Sequence, residues 1–219
     1  MSHEERRLAW DERHREGDFE GTGPNPAFVD AASALAQGRA LELASGSGTN
    51  AIWLAGQGWE VTAVDWSPVG IENAKRKADA AGVRIHWVEA DLSSWTPPER
   101  AFDLVAIVYL HLPPEERRPI YAGAARAVAP GGCLLIVGHD RSNLDEGEGG
   151  PRDPDRLFTA AEIGRDLLGA APDFEIERAE VVRRVVEPER GPIDALLVAR
   201  RRADGPPASA ASRSAGDGT

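Results

Sequence analysis

The sequence predicts a doubly wound α/β domain, with a seven-stranded, mostly parallel sheet closed by an antiparallel C-terminal hairpin. Three observations carry that prediction. From Arg39 onward, short apolar runs alternate with segments of helical period, the signature of βα units. The first of those runs passes through Ala44-Ser-Gly-Ser-Gly48 straight into a helix-forming stretch. The last two runs, 174–186 and 193–200, alternate around Pro188–Pro192, a spacing that suits an antiparallel hairpin.

Each element has a local reason. Residues 3–16 are charged, with Leu8, Ala9 and Trp10 as their apolar content, and read as a short surface helix. Gly17, Gly21, Gly23, Pro24 and Pro26 then break regularity, and Ala27–Ala36 resumes a helical pattern. Strands are placed at 39–44, 59–64, 84–89, 103–109 and 132–138. Between them, 50–57 forms a helix stopped by Gly58. Ser67 and Pro68 supply the N-cap and first position of a helix carrying Ile71, Ala74, Ala78 and Ala81, which Gly82 ends. Pro113 and Pro114 open the next helix, and Pro130-Gly131-Gly132 closes it. After Asp140 a long Gly/Pro-rich loop runs to Thr159, which caps a helix to about Leu168; loops of this length often serve as lids or binding loops. The expected organisation is a helical cap over 1–38, a ligand-binding domain over 39–202 and a disordered Ala/Ser/Gly/Pro tail over 203–219.

Composition excludes several classes of function. Lys and Arg total 25 against 36 Asp and Glu, a net charge of −11, which repels a phosphate backbone or an anionic membrane. No nucleic-acid or membrane partner is expected. The only cysteine, Cys133, forms no intrachain disulfide and no Cys-rich metal site. A polar amino terminus without an apolar core points to a cytoplasmic protein. No metal-ligand spacing stands out among the five histidines and the acids.

The chemistry concentrates at the carboxyl ends of the predicted strands, where open α/β sheets bind ligands. Small residues at 44, 45, 46 and 48 let a ligand approach the backbone, and the helix behind them offers unsatisfied N–H groups. Asp65 follows the second strand, at the distance where an acid accepts from both hydroxyls of a ribose. Asp91 ends the third strand. Each acid alone also reads as a helix cap or a solvated turn; the glycine turn and the two acids in register point to a nucleotide-like ligand.

These residues resemble the class I S-adenosylmethionine-dependent methyltransferases, which have a Rossmann-like fold. The first motif of that family is similar to Glu42-Leu-Ala-Ser-Gly-Ser-Gly48, its ribose acid to Asp65, its adenine motif to Asp91-Leu92 and its fourth-strand motif to Phe102-Asp-Leu-Val-Ala-Ile-Val108. Trp10-Asp-Glu-Arg-His14, Gly23-Pro-Asn25 and Tyr109-Leu-His-Leu-Pro113 resemble the small-molecule branch that includes tellurite-resistance and thiopurine methyltransferases. The resemblance spans about residues 8–201 and implies S-adenosylmethionine as cofactor and a small molecule as methyl acceptor. It implies that Ala44, Gly46, Gly48 and Val108 line the cofactor, that Glu42 orients the turn and that Asp65 holds the ribose. Trp66 would pack on the adenine, Asp91 would accept from its amino group and Leu92 would cover the ring. Ala44 and Ser45 depart from the pattern, which more often has glycine and cysteine there.

Two other readings stay open. Gly46-x-Gly48-x-x-Ala51 with Asp65 nineteen residues after Gly46 also satisfies a dinucleotide fingerprint, which allows an NAD-dependent oxidoreductase. The altered first motif also allows a protein that binds S-adenosylmethionine without turnover. For catalysis His111, just past the fourth strand, is the candidate base; its bland alternative is a loop histidine that packs or caps. Trp10, His14, Tyr109, His139 and Arg141 are candidate acceptor-site residues, each equally readable as packing or solvated loop charge.

Overall fold

A computed structural model describes residues 3–17, 23–184 and 191–203. The chain runs α1 (His3–Glu16), α2 (Pro26–Ser33), β1 (Arg39–Leu43), α3 (Thr49–Gly56), β2 (Glu60–Asp65), α4 (Pro68–Ala81), β3 (Ile85–Glu89), β4 (Phe102–Val108), α5 (Pro114–Ala127), β5 (Val128–His139), α6 (Asn143–Glu146), a 3-10 turn (Pro154–Arg156), α7 (Ala160–Ala170), β6 (Phe174–Arg183) and β7 (Ile193–Arg201). Seven strands form one sheet in the order β3-β2-β1-β4-β5-β7-β6. The first five are parallel, and β7 runs antiparallel to both β5 and β6. The order reverses between β1 and β4, so a crevice opens there at the carboxyl edge.

Alternation along the strands builds two cores. Leu41, Leu43, Ile107, Leu134 and Ile136 pack under α5 and α7. Ala40, Leu104, Ala106, Leu135 and Val137 pack on the other face with α2 and α3. Phe28 of α2 is fully buried in that second core, burial worth about 2–3 kcal/mol. The two helices expected as a cap thus have different placements: α2 is part of the core, while α1 lies over the sheet edge.

Local signals explain the helix ends. Ser67 Oγ accepts the Gly70 N–H at 3.0 Å, and Gly82 takes φ +68 to end α4. Thr159 and Glu162 form a reciprocal capping box at the start of α7. Asn25 caps α2 through its side-chain oxygen on the Phe28 N–H, at 3.0 Å.

Two features differ from the expectation. Pro130-Gly131-Gly132 does not precede β5 but bulges within it: Phe102 pairs with Val128, and pairing resumes at Leu104 with Cys133. Gly131, at φ +80, lets the chain double back before the strand continues. The long loop after β5 also contains α6 and the 3-10 turn, and Asn143 anchors it by accepting the Ile193 N–H at 2.7 Å and donating to the Gly149 carbonyl at 2.9 Å. The turn around Pro188 and the tail beyond Ala203 lie outside the described residues.

Candidate functional site

The turn after β1 is held from behind by β2. Asp65, at the end of β2, accepts the Gly46 N–H at 2.7 Å on Oδ2 and the Ser67 N–H at 2.8 Å on Oδ1. A carboxylate has about four lone-pair sites, so room remains for a further donor. Burial raises the Asp65 carboxyl above its usual range, opposed by backbone N–H groups of Ser67, Gly46 and Trp66. Within the turn Ala44, Gly46 and Gly48 all take positive φ, +57, +53 and +77. The glycine commonly found at position 44 of such turns therefore has a conformational cause: an alanine there carries about 1–2 kcal/mol of strain. At Gly48 a Cβ would lie 2.6 Å from the Trp87 ring and 2.9 Å from Ala74, so close packing also demands glycine.

Two buried oxygens at this turn have no hydrogen-bond partner among the described residues: Glu42 Oε2 and Ser45 Oγ. Glu42 Oε1 accepts from Asn50 Nδ2 at 3.0 Å, and burial pushes the carboxyl up to about 7. Unpaired buried acceptors are costly. A cationic amino group at the turn would satisfy them.

Helix α1 lies across this edge. Asp11 Oδ1 accepts from Ser67 Oγ at 2.5 Å, Asn73 Nδ2 donates to the His14 carbonyl at 2.9 Å, and His3 Nδ1 faces Asp91 Oδ2 at 3.1 Å. The His14 ring sits on the turn, with Cε1 3.4 Å from where a Gly46 Cβ would stand. Trp66, Ala90 and Asp91 form a cavity of about 280 Å³ with His3, Glu4 and Arg7 of α1. Burial works against ionisation of Asp91, but its bonds to Ser93 and His3 hold the carboxyl below its usual value. Leu92 packs against the first core beside it, and Val108, buried at the end of β4, reaches the second.

Across the strand-order reversal lies a second polar cluster. Tyr109, at φ +61, turns its hydroxyl to Asp194 Oδ2 at 2.8 Å, and Asn25 Nδ2 donates to that hydroxyl at 2.6 Å. Asp194, fully buried on β7, pairs in register with His139 on β5. Its Oδ1 faces His139 Nδ1 at 3.2 Å, off the angle of an ideal hydrogen bond, and Arg184 Nε lies 2.9 Å from Oδ2. Burial disfavours a charged Asp194, yet His139, Arg184 and Tyr109 together hold it below the usual carboxylate range. The Asn25 backbone N–H donates to Asn50 Oδ1 at 3.3 Å. A hydrogen-bonded path therefore runs from Glu42 through Asn50, Asn25 and Tyr109 to Asp194.

His111 stacks on His139 with ring centres 5.1 Å apart and planes 6° from parallel. Its Nε2 accepts the His139 backbone N–H at 3.0 Å. That bond places the His111 proton on Nδ1. Burial, then the neighbouring His139, lower its pKa to about 3. The ring is neutral and its lone pair is occupied, which argues against His111 as the proton acceptor.

The structure thus gathers Tyr109, His111 and His139 in one cluster and sets His14 on the glycine turn. Trp10 is partly exposed on α1, with the Arg13 guanidinium 4.6 Å from its ring centre. Arg141 is tied to both Glu162 oxygens, at 3.1 and 3.3 Å. Sequence reasoning passed over Asp194, Asn50 and Arg184 and gave Asn25 no role at the site. One signal was present: Asp194 is a lone acid in the apolar run Ile193–Val198. No group of three or more metal-ligating side chains occurs among the described residues, and none of their helices is long and apolar enough to cross a membrane.

Residues 40–132 match a family model described as a methyltransferase domain. The chain is 34% identical over 111 residues to a demethylmenaquinone methyltransferase of Thermus thermophilus, covering 50% of each chain. It is 32% identical over 110 residues to a protein of the same description from Clavibacter sepedonicus, covering 50% of this chain and 44% of that one. The chain therefore spans about half the length of the curated relatives it matches. Among solved structures, one concerned with conversion of a disulfide bond into a thioacetal group during echinomycin biosynthesis superposes with a TM-score of 0.68 at 25% identity, over 91% of this chain and 94% of that one. TehB from Haemophilus influenzae superposes with a TM-score of 0.67 at 18% identity, over 88% of this chain and 67% of that one. Residues 40–132 are thus similar to a methyltransferase domain, a likeness with which the relatives and the sheet order agree.

Proposed function

We propose that the protein transfers the methyl group of S-adenosylmethionine to a small-molecule nucleophile. The observation that carries this reading is the clasped turn after β1. Its unpartnered Glu42 Oε2 and Ser45 Oγ stand at the crevice where the strand order reverses. The cofactor supplies a cationic sulfonium as the methyl donor. Glu42 receives its amino group, the backbone of Ala44, Gly46 and Gly48 lies along its amino-acid portion, and the free lone pairs of Asp65 accept from its ribose. Trp66, Asp91 and Leu92 form the adenine side, which requires His3 to leave Asp91. Val108 lines the crevice from β4. Tyr109, His111 and His139 form the acceptor side, while Trp10 and His14 close the cofactor edge from α1. With the nucleophile held in line with the methyl carbon and water excluded, alignment supplies much of the rate.

The strand order with β7 inserted antiparallel between β5 and β6 supports this reading over the NAD alternative. Calorimetric titration with S-adenosylmethionine, S-adenosylhomocysteine and NAD tests it. Micromolar binding of the first two without NAD is the expected result, and binding of NAD alone overturns it. Cofactor binding with no methylated product across thiols, amines, phenols and oxyanions would instead establish a non-catalytic binder.

A further inference from the structure

We infer that His139, oriented by Asp194, is the general base of this site, and that the acceptor is a phenol or enol whose hydroxyl proton His139 Nε2 removes. The inference rests on the methyltransferase reading above. It begins from a pairing that only the folded sheet creates, between the last residue of β5 and the second residue of β7. His139 presents Nδ1 to Asp194 Oδ1 at 3.2 Å, so the carboxylate favours the tautomer with its proton on Nδ1. The lone pair then lies on Nε2. A carboxylate that fixes the tautomer and stabilises the imidazolium once it forms is the arrangement a histidine base requires.

The surroundings separate His139 from its neighbour. His111 gives its Nε2 to the His139 backbone and acts through it, as a positioning residue that fixes the stacked ring. Tyr109 stays a hydroxyl, since burial and the adjacent Asp194 raise its pKa beyond the working range, and it donates to the carboxylate. Arg184, 5.5 Å from the Tyr109 ring centre and 2.9 Å from Asp194, adds positive charge that favours an oxyanion nearby.

Access to Nε2 is covered by one glycine. A Cβ on Gly150 would stand 2.4 Å from His139 Cδ2 and 2.8 Å from Nε2, so the bare backbone of Gly150 rests on the edge of the ring that carries the lone pair. Asn143 holds the preceding Gly149 carbonyl at 2.9 Å. An acceptor that reaches Nε2 from beside Tyr109 has to displace this short segment. The step then balances: the acceptor O–H bond breaks and its proton passes to Nε2, while the oxygen pair forms a bond to the methyl carbon. The carbon–sulfur pair leaves with sulfur, which becomes a neutral thioether. A thiolate or a neutral amine would need no such base.

The test uses the full chain saturated with S-adenosylhomocysteine and 4-nitrophenol as probe, whose anion absorbs visible light and whose neutral form does not. At a pH about one unit below the ionisation of the free phenol, binding is expected to raise the anion absorbance. His139→Gln is expected to lower that rise about tenfold while leaving S-adenosylhomocysteine affinity unchanged. Asp194→Asn is expected to lower the anion rise several-fold with S-adenosylhomocysteine affinity unchanged, a split that a merely structural carboxylate would not give. No anion signal with the wild type, or an equal signal with His139→Gln, overturns the inference. Failure of the wild type to bind S-adenosylhomocysteine at all removes the methyltransferase reading instead.

Discussion

Asp65 at the end of β2 holds Gly46 in the turn after β1: the carboxylate accepts the Gly46 N–H at 2.7 Å while its other oxygen takes the Ser67 N–H at 2.8 Å. One buried side chain thereby fixes the glycine turn and the entry to α4 together. Any contact it makes with a ribose is added to this structural role.

Asp65→Ala orphans both N–H groups and removes a charge-assisted acceptor from each. The expected loss is about 2–4 kcal/mol of stability in urea denaturation, and at least about tenfold in S-adenosylmethionine affinity. Asp65→Asn, which keeps one acceptor oxygen, should lose less of both. Equal stability and affinity in Asp65→Ala would detach the carboxylate from the turn.

Glu42 makes stability depend on pH in a definite direction. Its carboxyl is raised by burial from an ordinary 4.5 to about 7, so the folded state holds the proton more tightly than the unfolded state. The associated stability is fully present below pH 4.5 and is lost as the pH rises through about 7, a change of at most about 3 kcal/mol. Urea denaturation of the cofactor-free protein at pH 5 and pH 8 reads the slope, which Glu42→Gln should flatten.

Ala44 adopts φ +57, a conformation that glycine takes without strain. Ala44→Gly is expected to stabilise the protein by about 0.5–1 kcal/mol, the relief of strain being partly offset by greater freedom in the unfolded chain. Calorimetric unfolding measures it. A destabilised variant would show that the alanine methyl is packed rather than tolerated.

His111 should remain neutral throughout the physiological range, because burial and His139 lower its pKa from 6.5 to about 3. Its contribution to stability is present above pH 6.5 and is lost as the pH falls toward 3. Proton NMR should show no titration of His111 between about pH 5 and 8. His111→Leu should cost about 1–3 kcal/mol, since the His139 N–H loses its acceptor.

What the sequence by itself determined is local or periodic. Ser67, Pro68 and Gly82 bound α4 through their own backbone preferences. The glycines of the first turn mark where positive φ is needed, and the short spacing between the last two strand-forming runs marks a hairpin. Asp65 was legible as a neighbour of the glycine turn because the distance from such a turn to the end of the next strand is nearly constant in a βα unit. Its grip on Gly46 was not, because that contact depends on how β1 and β2 align. The same limit hid the polar cluster around Asp194. Tyr109, His111 and His139 are visible at strand ends, yet sequence cannot say which lone pair is free. That is decided when β7 inserts antiparallel between β5 and β6 and sets Asp194 opposite His139. Only tertiary structure buries that carboxylate, brings Asn25 and Arg184 to it from remote segments and gives His111 to a backbone amide. A backbone preference acts within a few residues, but the hydrogen-bond partners of a buried polar atom come from whichever segments the fold brings around it.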